Sequence, residues 1–388
     1  MVNILLKRNK GKIILRGHPW VFSGALQKGQ DLPENGSVVR LCDSKGNFLA
    51  KGHYQDSSIA IRILTYEEEE INEHFYEQRL KFAFELRKQF IDGVHTTAFR
   101  WVHGEGDRLP GLIVDYYNGH LVMECHTDGM FKHRKIIASA LQNIDSSIQT
   151  IYCTSPSVSH GTEMSDSHEF LVGNQQETII KENKHSFLVN WVEGQKTGFF
   201  LDQRQNRQLL ASLVQEKEVL NLFSYSGGFS VYAAASGAKK VISVDSSEKA
   251  MKWLGKNVEL NAQEANKHEL IVSDVMDYLK QENTKYDVVI VDPPAFAKSV
   301  KKRHNAVQAY KRLNAKALSK INAGGFLMTF SCSQVVSPKL FYDTIKAAFI
   351  ETKSSGQIIQ KLSQGPDHPV MIKHEEGHYL KGLLIRVY

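Results

Sequence analysis

No run of apolar residues in this 388-residue chain approaches the roughly 18 needed to span a bilayer, and the opening MVNILLKRNKGK lacks the apolar core of a secretory signal. A membrane partner is therefore not expected, and a cytoplasmic location is. Cysteine is scarce. Cys42, Cys125, Cys153 and Cys332 lie far apart, with no Cys-x-x-Cys and no histidine pairing, so neither a disulfide framework nor a metal site is indicated and each thiol is by default a small buried hydrophobe. Internal repeats and low-complexity tracts are absent. So is the Gly-x-Gly-x-x-Gly fingerprint of dinucleotide enzymes, which removes the main support for a nicotinamide oxidoreductase.

Charge of one sign is also in short supply, except at one end. The net charge is +6, and residues 1–66 alone hold ten Lys or Arg against four acids, the whole of that surplus. A small basic segment on a neutral remainder suits a polyanion such as nucleic acid, although a solubilising surface is the plainer reading. At this length two or three domains are expected.

Most of what reads as machinery lies between Glu218 and Asp245. Val219, Leu220, Leu222 and Phe223 form an apolar run, Ser226-Gly227-Gly228 breaks it, small residues to Ala235 suit a close-packed helix, and Val241-Ile242-Val244 make a second run ending at Asp245. That is strand, glycine turn, helix, strand, with an acid placed to accept from ribose hydroxyls. Two further runs also end in acids, Leu270 to Val272 before Asp274 and Tyr286 to Val291 before Asp292-Pro293-Pro294-Ala295-Phe296. Three successive strand-end acids suggest a lined cleft at the ligand end of an open α/β sheet. A fifth run, Gly325 to Phe330, puts Cys332 at the same end.

The N-terminal region shows short β-rich runs at residues 3–6, 37–41, 47–52 and 59–64, which predict a compact barrel, and Arg16 to Gly24, between the first two, could bind RNA or simply plug the barrel. A helical connector over about 67–90, a hairpin over 99–117, a strand at 120–124 and a helix at 131–141 suggest a small α+β domain. A hairpin over 177–191 leads to a loop, Gly194 to Leu201, and Asp202 with Gln205 is expected to cap the helix that follows.

The ordered motifs RGHPWVF, GEGDRLPGLIVDYY, KTGFFLDQRQNR, NLFSYSGGFSVYAA, DPPAF and FSCS span nearly the full chain. Together they resemble the bacterial ribosomal RNA large-subunit methyltransferase I family, which methylates C5 of a cytosine. The resemblance implies an α/β fold with three parts. These are a PUA-like RNA-binding β-barrel over 1–70, a middle α+β domain over 71–192, and a class I (Rossmann-like) methyltransferase domain over 193–388 whose last strand, near Tyr379 to Tyr388, runs antiparallel. It implies S-adenosylmethionine as cofactor, held by Phe199, Asp202, Gln203, Ser226, Gly227, Gly228, Asp245, Asp274 and Asp292, and RNA, 23S ribosomal RNA in particular, as partner. A homodimer stays open.

C5 of cytosine is a poor nucleophile until a group adds at C6, and a thiolate is the side chain best suited to that addition. Cys332 is the candidate nucleophile, and Asp292 is a second catalytic candidate that could hold a proton at cytosine N3. Substrate contacts are expected from Arg16, Pro293, Phe296 and the basic residues Lys298, Lys301 and Arg303, which suit phosphates flanking an extruded base. The neighbouring reading is methylation of another base atom, such as guanine N7, without a covalent adduct. An RNA-binding module with a lost activity is a third, against which the three acids weigh.

Overall fold

A computed structural model of the chain describes residues 1–155, 167–261, 267–297 and 299–388. They fall into two compact units. The first comprises Met1–Ile180, Val189–Gly198 and Pro366–Gly377, and the second Lys181–Leu188, Phe199–Gly365 and His378–Tyr388.

The first unit opens with β1 (Val2–Leu5), α1 (Gly11–Leu15), β2 (Trp20–Phe22), β3 (Val38–Cys42), β4 (Phe48–Tyr54) and β5 (Ile59–Thr65). The strand order is β1-β3-β4-β5-β2, and a Leu6↔Leu26 bridge ties the two edges together, closing the barrel around Ile4, Leu6, Val39, Leu41, Ala50 and Ile61. Closure removes the exposed edges that a five-stranded sheet would otherwise present. The stretch Arg16 to Gly24 carries β2, whose Val21 is buried while Phe22 is exposed.

After α2 (Glu73–Lys88) come β6 (Ala98–His103), β7 (Leu112–Tyr117), β8 (His120–Cys125), α3 (Asp128–Lys132), α4 (Arg134–Ile144), β9 (Thr150–Ser155) and β10 (Ser167–Val172). They build a sheet in the order β10-β9-β8-β7-β6, against which α2 and α4 pack Tyr76, Leu80, Ile137 and Leu141. The expected single helix at 131–141 is two, because Thr127 caps one start and His133 interrupts the next turn. The acids of the GEGDRLPGLIVDYY motif are spent internally. Asp107 forms a buried bidentate pair with Arg87, and Asp115 a second with Arg100 while accepting from Thr197 Oγ1. Removing one member of such a pair would strand a buried charge. The hairpin β11 (Glu177–Glu182) and β12 (His185–Asn190) is where the chain passes between units.

The second unit contains α5 (Arg204–Ala211), β13 (Glu218–Leu222), α6 (Gly228–Ala235), β14 (Lys240–Asp245), α7 (Glu248–Leu260), β15 (His268–Val272), α8 (Val275–Gln281), β16 (Tyr286–Val291), α9 (Arg303–Leu318), β17 (Ile321–Ser331), α10 (Pro338–Glu351), β18 (Gly356–Ser363) and β19 (Lys381–Val387). Its seven strands run in the order β15-β14-β13-β16-β17-β19-β18. The first five are parallel and β19 is antiparallel to β17. Near-continuous apolar strands such as Tyr286–Val291 suit a sheet covered on both faces, and two clusters do cover it. Tyr310, Leu313, Phe341 and Ile345 of α9 and α10 belong to one, and Leu210, Phe229 and Ala233 of α5 and α6 to the other. Successive strands lie side by side outward from β13 and then outward from β16, so the chain reverses its winding between these two. That is the switch point at which open α/β sheets bind ligands, outside the carboxyl ends of their strands.

Candidate active site

The register fixes what lies at that end. Leu222 pairs with both Val244 and Val291, Asp245 with Val272, and Val291 with Thr329. The turn after β13, Asp245, Asp274, Asp292 and Cys332 therefore all leave the sheet at one edge.

The turn after β13 is built under strain. Phe223, Tyr225 and Gly227 adopt φ of 59°, 47° and 86°, and the left-handed region costs a non-glycine residue about 1–2 kcal/mol. Such positions persist where surroundings over-determine them, often at functional sites. Asp245 is part of what determines this one: its Oδ2 accepts from Tyr225 N at 2.9 Å and its Oδ1 from Ser247 N at 2.9 Å. Below the turn Asn257 Nδ2 donates to Ser226 O at 2.8 Å, and a Cβ on Gly227 would lie 2.5 Å from Leu254 Cγ. Gly227 is thus required twice over, by its φ and by the approach of α7. Tyr225 stands between Phe200 and Trp253, with ring centroids at 5.3 and 6.2 Å.

Asp274 caps α8. Its Oδ1 accepts from Met276 N and Asp277 N, and the residue is exposed. Asp292 Oδ2 accepts from Gln203 Nε2 at 3.0 Å, and Gln203 Oε1 accepts in turn from Asn206 Nδ2 at 2.6 Å. Asp202 does not cap the helix as expected. It sits in a tight turn, Leu201–Gln203, with its Oδ2 accepting from Tyr379 OH at 2.6 Å, and α5 begins after Gln203 without a side-chain cap. Phe199 packs on Phe187 at 5.0 Å and under the guanidinium of Arg207 at 4.8 Å, and Arg207 is held by a bidentate bond to Glu182. This buried pair, invisible to local patterning because its members are 25 residues apart, fixes the segment that carries Phe199 to Gln203.

Cys332 follows β17 and is half-buried, whereas Cys42, Cys125 and Cys153 are buried. Pro293 is buried and Pro294 exposed, and Phe296 packs on Tyr310 of α9 at 4.6 Å. Burial pushes the Tyr310 hydroxyl up to about 12, with the fields of Cys332 and Asp292 adding to the rise. Lys301 and Arg303 are exposed at the start of α9, and Lys298 lies outside the described residues. Arg16 belongs to the first unit, exposed at the end of α1. The second unit therefore brings together every other described candidate.

The donor set suits S-adenosylmethionine. Carboxylates end β14 and follow β15 and β16, a set of acceptors of the kind that ribose hydroxyls, an adenine amino group and an ammonium call for. No group of three or more His, Cys, Asp or Glu among the described residues could hold a metal ion.

A seven-stranded sheet of this order with a strained glycine turn and a strand-end acid at its switch point defines a class I methyltransferase. The family described as S-adenosylmethionine-dependent methyltransferase matches residues 100–386, and the PUA-like domain family matches residues 4–66. The chain is 35% identical over 391 residues to ribosomal RNA large subunit methyltransferase I of Tolumonas auensis, covering 99% of this chain and 98% of that one. It is equally similar, at 35% over 393 residues and with the same coverage, to the protein of that name from Klebsiella pneumoniae. A crystal structure assigned as a methyltransferase and complexed with SAH superposes with a TM-score of 0.87 at 25% identity, over 100% of both chains. The chain belongs to the ribosomal RNA large subunit methyltransferase I family, and its cofactor is S-adenosylmethionine.

Proposed function

We propose that this protein methylates C5 of a cytosine in ribosomal RNA, 23S in particular, with Cys332 as the nucleophile. The relatives' name supports a ribosomal RNA substrate, and the PUA-like segment supports RNA as the partner. The observation that carries the finer reading is the position of a half-buried thiol one residue beyond β17, at the sheet edge that also carries Asp245 and Asp292.

In this reading Asp245, Asp274, Asp292 and the turn at Ser226, Gly227 and Gly228 hold the cofactor, with Phe199, Asp202 and Gln203 closing over it. S-adenosylmethionine supplies an electrophilic methyl group. The Cys332 thiolate adds to C6, the electron pair of the C5–C6 bond moves onto C5, and Asp292 shares a proton at N3 so that negative charge does not accumulate on the ring. After methylation the C5 proton passes to water, its electron pair re-forms the C5–C6 double bond, the C–S bond breaks to return the thiolate, and the proton at N3 goes back to Asp292. Pro293 stiffens the loop after β16, and Phe296, braced by the tilted ring of Tyr310 at 4.6 Å, offers its ring to the base. Lys301 and Arg303, with Lys298, meet flanking phosphates, and Arg16 of the barrel adds affinity rather than chemistry. A division of labour into barrel (1–70), middle domain (71–192) and catalytic domain (193–388) accompanies this assignment, as does a cytoplasmic site of action.

Cys332→Ala tests it. Methyl transfer should vanish while S-adenosylmethionine and RNA affinities stay nearly unchanged, since the thiol acts in the reaction rather than in ground-state binding. RNA carrying 5-fluorocytosine at the target should trap the wild-type protein covalently, because fluorine cannot leave C5 as a proton. Turnover by the alanine variant, or an adduct mapped to Cys42, Cys125 or Cys153, would exclude the mechanism and favour non-covalent methylation of another base atom.

A further inference from the structure

A thiol with an ordinary pKa near 8.5 is only a few per cent thiolate at neutral pH, so a nucleophilic Cys332 needs help from its surroundings. Lys381 on β19 and Tyr310 on α9 are among the described groups that feel the field of Cys332, and Tyr310 feels Asp292 as well. Tyr310 stays neutral. Of these two, the Lys381 ammonium is the one that favours an anion at Cys332.

Lys381 is an unusual lysine. It pairs with Ser331, the residue before Cys332, at the last rung of the β17/β19 ladder. The residue is 7% exposed, and its Nζ donates to Ser333 O at 2.6 Å and Val336 O at 2.8 Å, spanning the turn that begins at Cys332. An ammonium has three donors, and these two carbonyls use two. No carboxylate lies within ion-pair distance of it among the described residues, although a buried charge ordinarily requires such a partner. The cost shows in its titration: burial pulls Lys381 down to about 8, and the field of Cys332 acts in the opposite sense.

Resting on the reading of Cys332 as nucleophile, we propose that Lys381 is its positioning residue, a buried ammonium that pins the turn from Ser333 to Val336 and stabilises the thiolate as its missing counter-ion. The thiol proton passes to solvent and the ammonium keeps its own. Positive charge is present below about pH 8 and lost above it, so the assistance operates at neutral pH, where an unassisted thiol would be protonated.

The test is the pH dependence of iodoacetamide alkylation at Cys332, followed by peptide mass in the full-length protein. The other three cysteines are buried, and a Cys332→Ala control identifies the signal. Wild type should show a midpoint below the ordinary 8.5. Lys381→Met should raise it by about a unit or more, cutting thiolate at neutral pH about tenfold, and should lower kcat with S-adenosylmethionine affinity unchanged. Lys381→Arg should recover part of the shift, and Lys381→Gln, which can donate hydrogen bonds but carries no charge, should not. A wild-type midpoint at or above 8.5 overturns the proposal without recourse to any variant, as does an unshifted midpoint in folded Lys381→Met or Lys381→Gln. Alkylation reports on the thiol whatever its role, so either of those results beside an intact 5-fluorocytosine adduct would remove Lys381 and leave Cys332 standing.

Discussion

Gly227→Ala is a test of how the cofactor turn is built. At φ 86° an alanine pays the left-handed penalty of about 1–2 kcal/mol. Its methyl would also sit 2.5 Å from Leu254 Cγ and 3.2 Å from Leu254 Cδ1, and Leu254 is fully buried on α7. Pushing a packed leucine aside costs a further ~1–3 kcal/mol. The two add to roughly 2–5 kcal/mol, and at ~2–4 °C per kcal/mol for a unit of this size the melting temperature should fall by roughly 4–20 °C. Scanning calorimetry measures this, and a double-mutant cycle with Leu254→Ala separates the parts. Leu254→Ala alone should cost about 2–5 kcal/mol, but it removes the obstacle, so the double variant should be less unstable than the sum by the steric share, about 1–3 kcal/mol. Gly228→Ala is the control. Its φ is not positive, and its methyl would meet Arg207 Cδ at 3.1 Å, so its loss should be smaller. A Gly227→Ala melting temperature within a degree of wild type, or a cycle with no coupling, would refute the account.

Asp245→Ala should weaken S-adenosylmethionine binding by about 1–3 kcal/mol. Asp245→Asn should lose less, because it keeps one oxygen for Tyr225 N or Ser247 N; unchanged dissociation constants by isothermal titration would remove Asp245 from the cofactor site. In the first unit, burial drives His53 down to about 3, and both ring nitrogens are buried without a hydrogen bond. The unfolded chain binds a proton below about pH 6.5 while the folded one does not, so this stability is complete above that pH and is lost as pH falls toward 3, by up to ~1.4 kcal/mol per pH unit. Moving from pH 7 to pH 5 should therefore destabilise wild type by about 2 kcal/mol more than His53→Met in urea titrations, and parallel pH responses would contradict the assignment.

The features that patterning reached are those whose signal is local. The run from Val219 to Leu222, the break at Gly227 and the acids after three apolar runs each lie within a few residues of one another, whereas the strand order and the switch point between β13 and β16 come from the pairing of the folded sheet. What patterning missed is governed by partners far along the chain. Asp202 before Gln205 has the spacing of a capping box, yet Tyr379, 177 residues away, takes Asp202 Oδ2, and a hydroxyl–carboxylate bond made in the folded unit outweighs a local cap. Strand β18 went unseen because six consecutive residues from Gly356 are exposed, so an edge strand paired on one side shows no alternation. Lys381 shows the same limit at the site itself. In sequence it is one lysine opening a strand with the pattern Lys-Gly-Leu-Leu, where a solvated end is the natural expectation. Only the pairing of β19 with β17 brings it opposite Ser331, and only the turn after Cys332 supplies the two carbonyls that hold it. A residue whose role depends on which strand it pairs with cannot be found by the period of its own strand. The antiparallel β17/β19 pair is thus more than a way of ending the sheet, since it delivers a cation to the strand end that carries the thiol.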